Sequence, residues 1–232
     1  MGSSTSKALH QEALEKPLEP LPVPIPIIHD TQYCIEAPTT YLVRHKYGKD
    51  ESTITMWEYT DGKRAQDITF HVKSFNGVAV SYATSHGTRS FTVSNAARQQ
   101  VIRAGCVGHA DFAIKDASAS RHDAPICMLK RSIAKWEPVI VGQVRNRSTG
   151  HVYAMGYTGN WKTKHIAQFW MASEKTPEIR RPIARTVGWG ENDMRLAYQL
   201  EVTSGVDILA LISMITVLDV SDEALSSDVF AQ

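Results

Sequence analysis

Gly205-Val206-Asp207-Ile208-Leu209-Ala210-Leu211-Ile212-Ser213-Met214-Ile215-Thr216-Val217-Leu218-Asp219 is the stretch that decides the fold. Between Asp207 and Asp219 no residue is charged, and only Ser213 and Thr216 are polar. A helix lying on a surface would carry a polar stripe at the 3.6-residue period. This run has none, so it reads as a helix buried on every side, with Ile208, Leu211, Ile212, Ile215 and Leu218 in the core. Ser204 and Asp207 have the spacing of a capping box and mark its start. Asp207 suits the positive end of the helix dipole, whereas Asp219 sits near the negative end. As a membrane span the run is too short: about 17 Å of helix against roughly 30 Å of hydrocarbon. Its C-terminal flank is acidic (Asp219, Asp222, Glu223) and offers no basic anchor. A core helix of this kind needs surroundings on all sides.

The rest of the chain supplies them as strands. Asp67–Lys73 alternates strictly, with Ile68, Phe70 and Val72 on one face. Asn76-Gly77 then separates it from Val78, Val80 and Tyr82, and Asp61-Gly62 follows Ile54–Thr60 in the same way; both dipeptides are hairpin signals. Further strands are expected at Arg89–Val93, Asp111–Lys115, Ile126–Arg131, Val139–Arg145, His151–Tyr157, His165–Ala172, Ile183–Trp189 and Leu196–Thr203. In the last of these Leu196, Tyr198, Leu200 and Val202 share a face. Ser94–Gly105 has a cap, helix formers and a terminal glycine, and reads as a short helix. Ten or more short one-sided strands suggest a sandwich or a barrel. A wholly apolar helix favours a closed antiparallel barrel wrapped around it, which leaves no free sheet edge.

Ahead of this domain the chain changes texture. Met1-Gly2-Ser3-Ser4-Thr5-Ser6 fits the N-myristoylation pattern, with Gly2 as acceptor. One myristoyl chain holds a membrane only marginally, and neither a second cysteine nor a polybasic run is adjacent. Residues 7–16 favour a short helix ended by Pro17. Pro17, Pro20, Pro22, Pro24 and Pro26 then read as an extended polyproline II spacer. The expected organisation is a flexible segment over 1–30, a barrel over 31–223 and a tail over 224–232.

With 232 residues, 43% hydrophobic and 21% charged, the chain has ordinary globular composition. A net charge of +1 argues against a nucleic-acid-associated regulator, which would carry more positive charge. Cys34, Cys106 and Cys127 are odd in number and widely spaced, which fits reduced thiols in a cytoplasmic protein. The start of the chain shows no secretory pattern, so the Asn146-Arg147-Ser148 sequon is expected to be incidental. No nucleophile elbow, phosphate loop, dinucleotide fingerprint or zinc-protease motif occurs. His109 with Asp111 and His122 with Asp123 are close acid–histidine pairs that read as polar loop or strand pairs. No Cys, His and acid set has metal spacing, so no catalytic residue, metal or cofactor is expected. Basic residues gather near strand ends: Lys130-Arg131, Arg145 with Arg147, Lys162 with Lys164, and Arg180-Arg181 with Arg185. Trp161 and Trp170 lie near them. Lys162, Lys164, Arg180 and Arg181 are the candidates to hold an anionic lipid headgroup.

The segments Val152-Tyr153-Ala154-Met155-Gly156-Tyr157-Thr158-Gly159-Asn160-Trp161, Ile183-Ala184-Arg185 and Tyr198-Gln199-Leu200-Glu201-Val202, with Gly205-Val206-Asp207 leading into an apolar helix that ends in Leu218-Asp219, resemble the LURP-one-related proteins. That family belongs with the phospholipid scramblases to the tubby C-terminal-like superfamily. The resemblance covers about residues 40–223 and is weaker before Val139. It implies a roughly twelve-stranded antiparallel barrel around a C-terminal helix. It implies little about activity, since fold does not fix function. Taken with the motifs above, the expectation is a non-enzymatic domain, peripheral at a membrane through Gly2, that binds anionic phospholipid or a protein partner. A scramblase-like activity is the alternative, although the calcium-binding acidic segment of scramblases has no counterpart: Glu191-Asn192-Asp193 is too short.

Overall fold

The computed structural model describes residues 15, 17–28, 31–46, 52–60, 63–77, 88–95, 97–107, 111–120, 122–134, 137–161, 166–188 and 197–229. Its strands are β1 (Thr39–Lys46), β2 (Ser52–Thr60), β3 (Lys63–Gly77), β4 (Thr88–Ser94), β5 (Gln100–Val107), β6 (Asp111–Asp116), β7 (Cys127–Ala134), β8 (Glu137–Arg145), β9 (Val152–Asn160), β10 (Ile166–Ser173), β11 (Arg181–Gly188) and β12 (Ala197–Val202). A helix, α1 (Ile208–Val229), follows them. Each strand pairs antiparallel with its neighbour in sequence, and Thr39–Arg44 of β1 also pair with Val202–Ala197 of β12, so the ring of pairings closes. Alternation sets the faces. In β12 Tyr198, Leu200 and Val202 are buried and Gln199 is exposed; in β6 Phe112 and Ile114 are buried between half-buried neighbours.

Every residue from Val206 to Leu218 is buried. Ile208, Leu211, Ile212, Ile215 and Leu218 join one continuous core with inward strand residues such as Phe91, Ile102, Leu129, Phe169 and Leu200. The two polar side chains in the run need partners there. Ser213 Oγ donates to Leu209 O at 2.7 Å, and Thr216 Oγ1 donates to Ile212 O at 2.8 Å. Each hydroxyl is thus satisfied by its own helix one turn back.

Asp207 starts the helix differently from the capping-box expectation. It is the N-cap itself: Oδ1 accepts from Leu209 N at 2.9 Å and Ala210 N at 3.4 Å. The helix also runs on past Asp219 to Val229, into the stretch expected as a tail from 224.

Residues 17–28 are the main correction. They are not a free spacer but a strap across one end of the barrel. Leu21 N donates to Ser204 O at 3.1 Å and Ile25 N to Gly205 O at 2.9 Å. Ile27 N and Ile28 N donate to Asp207 Oδ2 at 2.8 and 2.9 Å. Pro26 O accepts from Arg147 N at 2.8 Å, and the Arg147 guanidinium also bonds Ile28 O. The proline spacing explains why this works. Pro22, Pro24 and Pro26 have no N–H to leave unpaired, and Ile25, between the last two, donates inward. Ile25, Ile27 and Ile28 are buried, so the strap belongs to the domain. Gly205, at φ +84°, lets it come close: a Cβ there would sit 2.9 Å from Leu21 Cβ.

Two local expectations also give way. The helix expected over Ser94–Gly105 is a tight turn followed by β5. Asn95 Oδ1 accepts from Ala97 N at 3.1 Å and Gln99 N at 3.0 Å, and Arg98 has φ 62°. The residue read as a helix cap makes an Asx turn instead, and pairing with β4 and β6 overrides the helix formers. Asn76-Gly77 forms the last two residues of β3, paired with Arg89 and Thr88 of β4, so it is not the two-residue turn itself. Pairing with β4 carries the strand through it. The expected strand at Val78, Val80 and Tyr82 lies outside the described residues.

Candidate functional site

The strap end of the barrel also receives the loops after β6, β8 and β10. On the outer face of β8–β11, near this end, the register builds one row: Val141 opposite Gly156, Gly156 opposite Trp170, Trp170 opposite Pro182. Met155, Tyr157, Phe169 and Met171 point into the core, so Gly156 and Trp170 point out. A Cβ built on Gly156 would overlap the six-membered ring of Trp170, so the absent side chain is what lets the indole lie flat across β9. The Arg180 guanidinium carbon stands 4.3 Å above the indole centroid. Such a contact contributes about 0.5–1 kcal/mol when exposed. Between the sheet below and Arg180 above, Trp170 is only 5% exposed. Its Nε1 is buried without a hydrogen-bond partner among the described residues.

Two exposed apolar side chains belong to this region, Val141 opposite Gly156 and Ile179 next to Arg180 in the chain. Ile179 is 61% exposed and Val141 38%. Arg181 Nε lies 3.8 Å from Glu19 Oε2 of the strap, an exposed and therefore weak pair that tethers the strap to the 174–180 loop. One row further along, Arg185 Nε bonds Glu201 Oε2 at 2.6 Å and Gln199 Nε2 bonds Glu201 Oε1 at 2.9 Å, so Arg185 is held by strand neighbours.

Of the four basic candidates the structure brings together Arg180 and Arg181. Lys162 and Lys164 lie outside the described residues. Trp161 is a core residue, edge-on to Tyr198 at 5.5 Å and to Phe169 at 6.4 Å. Arg145 reaches Gly150 O at 3.5 Å, and Arg147 pairs with Asp116 at 3.1 Å. Gly2 also falls outside the described residues. The Trp170–Gly156 stack was missed by sequence reasoning; only a register can place residues 14 positions apart face to face.

The titrating groups that are perturbed are structural. Burial pushes the Cys34 thiol up to about 12, with the nearby Asp207 charge adding to it, and burial alone pushes Cys127 up to about 12. Neither holds the thiolate that a nucleophile needs. Burial raises the Asp207 carboxyl above the ordinary carboxylate value, while four backbone N–H groups work against the shift. Among the described residues no three His, Cys, Asp or Glu side chains gather as a metal site, and no helix is long and apolar enough to cross a membrane. What the outer row offers is donors beside apolar surface, an arrangement suited to an anion with a greasy neighbour.

No family model, curated protein or solved structure matches this chain.

Proposed function

We propose that the protein is a non-enzymatic, tubby C-terminal-like domain of the LURP-one-related type that docks on anionic phospholipid at a membrane surface. The observation that carries this reading is the 174–181 loop. It holds out Ile179, 61% exposed, directly before Arg180 and Arg181. An apolar side chain flanked by guanidinium groups suits the boundary between headgroups and acyl chains. The strap strengthens it. Glu19 lies beside Arg181, so the N-terminal segment reaches the domain at the same end. Gly2 precedes Glu19 by 17 residues, a reach of at most about 60 Å, and an acyl chain there adds the first of two weak signals. The closed ring of strands and the apolar helix agree with the fold that the resemblance implies.

The test is flotation with vesicles of phosphatidylcholine alone or with phosphatidylserine. Arg180→Glu with Arg181→Glu should lower binding to the anionic vesicles by at least about thirtyfold, from roughly 1 kcal/mol for each arginine lost near the surface, and leave the weak binding to neutral ones unchanged. Raised salt should mimic the double change. Equal binding of wild type to both vesicle types would overturn the reading.

A further inference from the structure

We propose that Trp170 and Arg180 form a gated binding site for the phosphate of an anionic phospholipid headgroup; this rests on the membrane reading above and names its contact point. Three observations meet at one place on the outer face. Trp170 Nε1 is a buried donor with no partner. A native structure rarely leaves such a group unmade, because an unpaired buried donor costs stability. On the outer face of the indole lies the side chain of Arg180, which comes from an exposed loop position. Among the described residues Arg180 has no carboxylate partner, unlike Arg147, Arg181 and Arg185, which are paired with Asp116, Glu19 and Glu201.

The gating follows from these contacts. In the closed state Arg180 stacks on the ring and satisfies its charge against the π face. When an anionic oxygen arrives, the guanidinium has a stronger partner, a charge-assisted hydrogen bond to phosphate. Swinging off the ring to take it uncovers the indole N–H, which then donates to a second phosphate oxygen. No covalent bond changes. The apolar positions beside the row decide the source of the phosphate. Val141, opposite Gly156 in the row, and Ile179, next to Arg180 in the chain, are 38% and 61% exposed and would meet the glycerol and upper acyl carbons of a lipid. A free phosphate ion gains nothing from them.

Indole N–H resonances read this directly. The full chain, labelled with nitrogen-15, carries five tryptophans, and Trp170→Phe identifies the Trp170 signal. Titration uses soluble short-chain phosphatidic acid, the matching phosphatidylcholine and inorganic phosphate. The site predicts a downfield shift of the Trp170 indole signal with phosphatidic acid, little shift with the other two, and no shift in Arg180→Gln. Trp170→Phe, which removes the donor and leaves a smaller aromatic ring, should bind phosphatidic acid about tenfold more weakly while remaining folded by circular dichroism. An unmoved Trp170 signal would overturn the site. Equal shifts with inorganic phosphate would overturn the lipid as its occupant. Flotation on vesicles containing phosphatidic acid separates the two proposals: flotation with an unmoved indole removes the site and keeps the membrane reading, and an indole shift without flotation does the reverse.

Discussion

Ile215→Asp is expected to abolish folding. Ile215 is fully buried in the middle of α1, and the residues around the helix on every side are apolar. A carboxylate there has no donor within the helix, whose backbone groups are already bonded, and no water. An isolated charge in such a place costs several kcal/mol or neutralises itself at comparable cost, which consumes much of a domain's usual stability of about 5–15 kcal/mol. Ile215→Val, at about 1 kcal/mol, is the control that keeps the position apolar. Circular dichroism and thermal melting read both. A folded Ile215→Asp protein with the wild-type melting temperature would mean that α1 is not enclosed.

Asp207→Ala should lower stability by about 4 kcal/mol. Two chain segments converge on this carboxylate. Oδ1 caps α1 through Leu209 and Ala210, and Oδ2 takes Ile27 N and Ile28 N of the strap. Losing the cap costs about 1 kcal/mol, and each strap donor left buried and unpaired costs about 1–3 kcal/mol more. Asp207→Asn keeps one acceptor oxygen but turns a donor toward two N–H groups on one side, so it should fall between wild type and alanine. The pH dependence has a definite sign. Because burial raises the carboxyl in the folded state, the native protein holds this proton longer than the unfolded chain. Stability from Asp207 therefore falls as pH rises from the ordinary carboxylate range through the raised value, and is level above it. Urea unfolding across that range should show the wild-type advantage over Asp207→Asn shrinking as pH rises. An alanine variant with an unchanged midpoint would show that the strap and cap hold without the carboxylate.

The helix and most strands were legible because their signals are periodic. Leu209–Leu218 could only be buried, and β6 and β12 alternate in the sequence as they do in the structure. Where the reading failed, a local signal met a stronger nonlocal one. Asn95 looks the same to the sequence whether it caps a helix or makes an Asx turn, and only the pairing of β5 between β4 and β6 decides. The alternation of prolines over 20–26 reads as a spacer, because nothing local reveals that Asp207, about 180 residues on, offers the oxygen for Ile27 and Ile28. The candidate site was half legible. Arg180 and Arg181 stand out as charge, but Gly156 has meaning only once Trp170 lies across it, and that depends on the β9–β10 register.

Hydrogen–deuterium exchange of the full, acylated chain, with and without vesicles containing phosphatidic acid, tests most directly that this end of the barrel meets the bilayer. The account predicts slower exchange on vesicle binding in the 174–182 loop and in strap residues 17–24, with the amides of α1 unchanged. Vesicle-bound protein whose 174–182 loop exchanges as fast as in solution, with protection appearing elsewhere on the barrel, would contradict it.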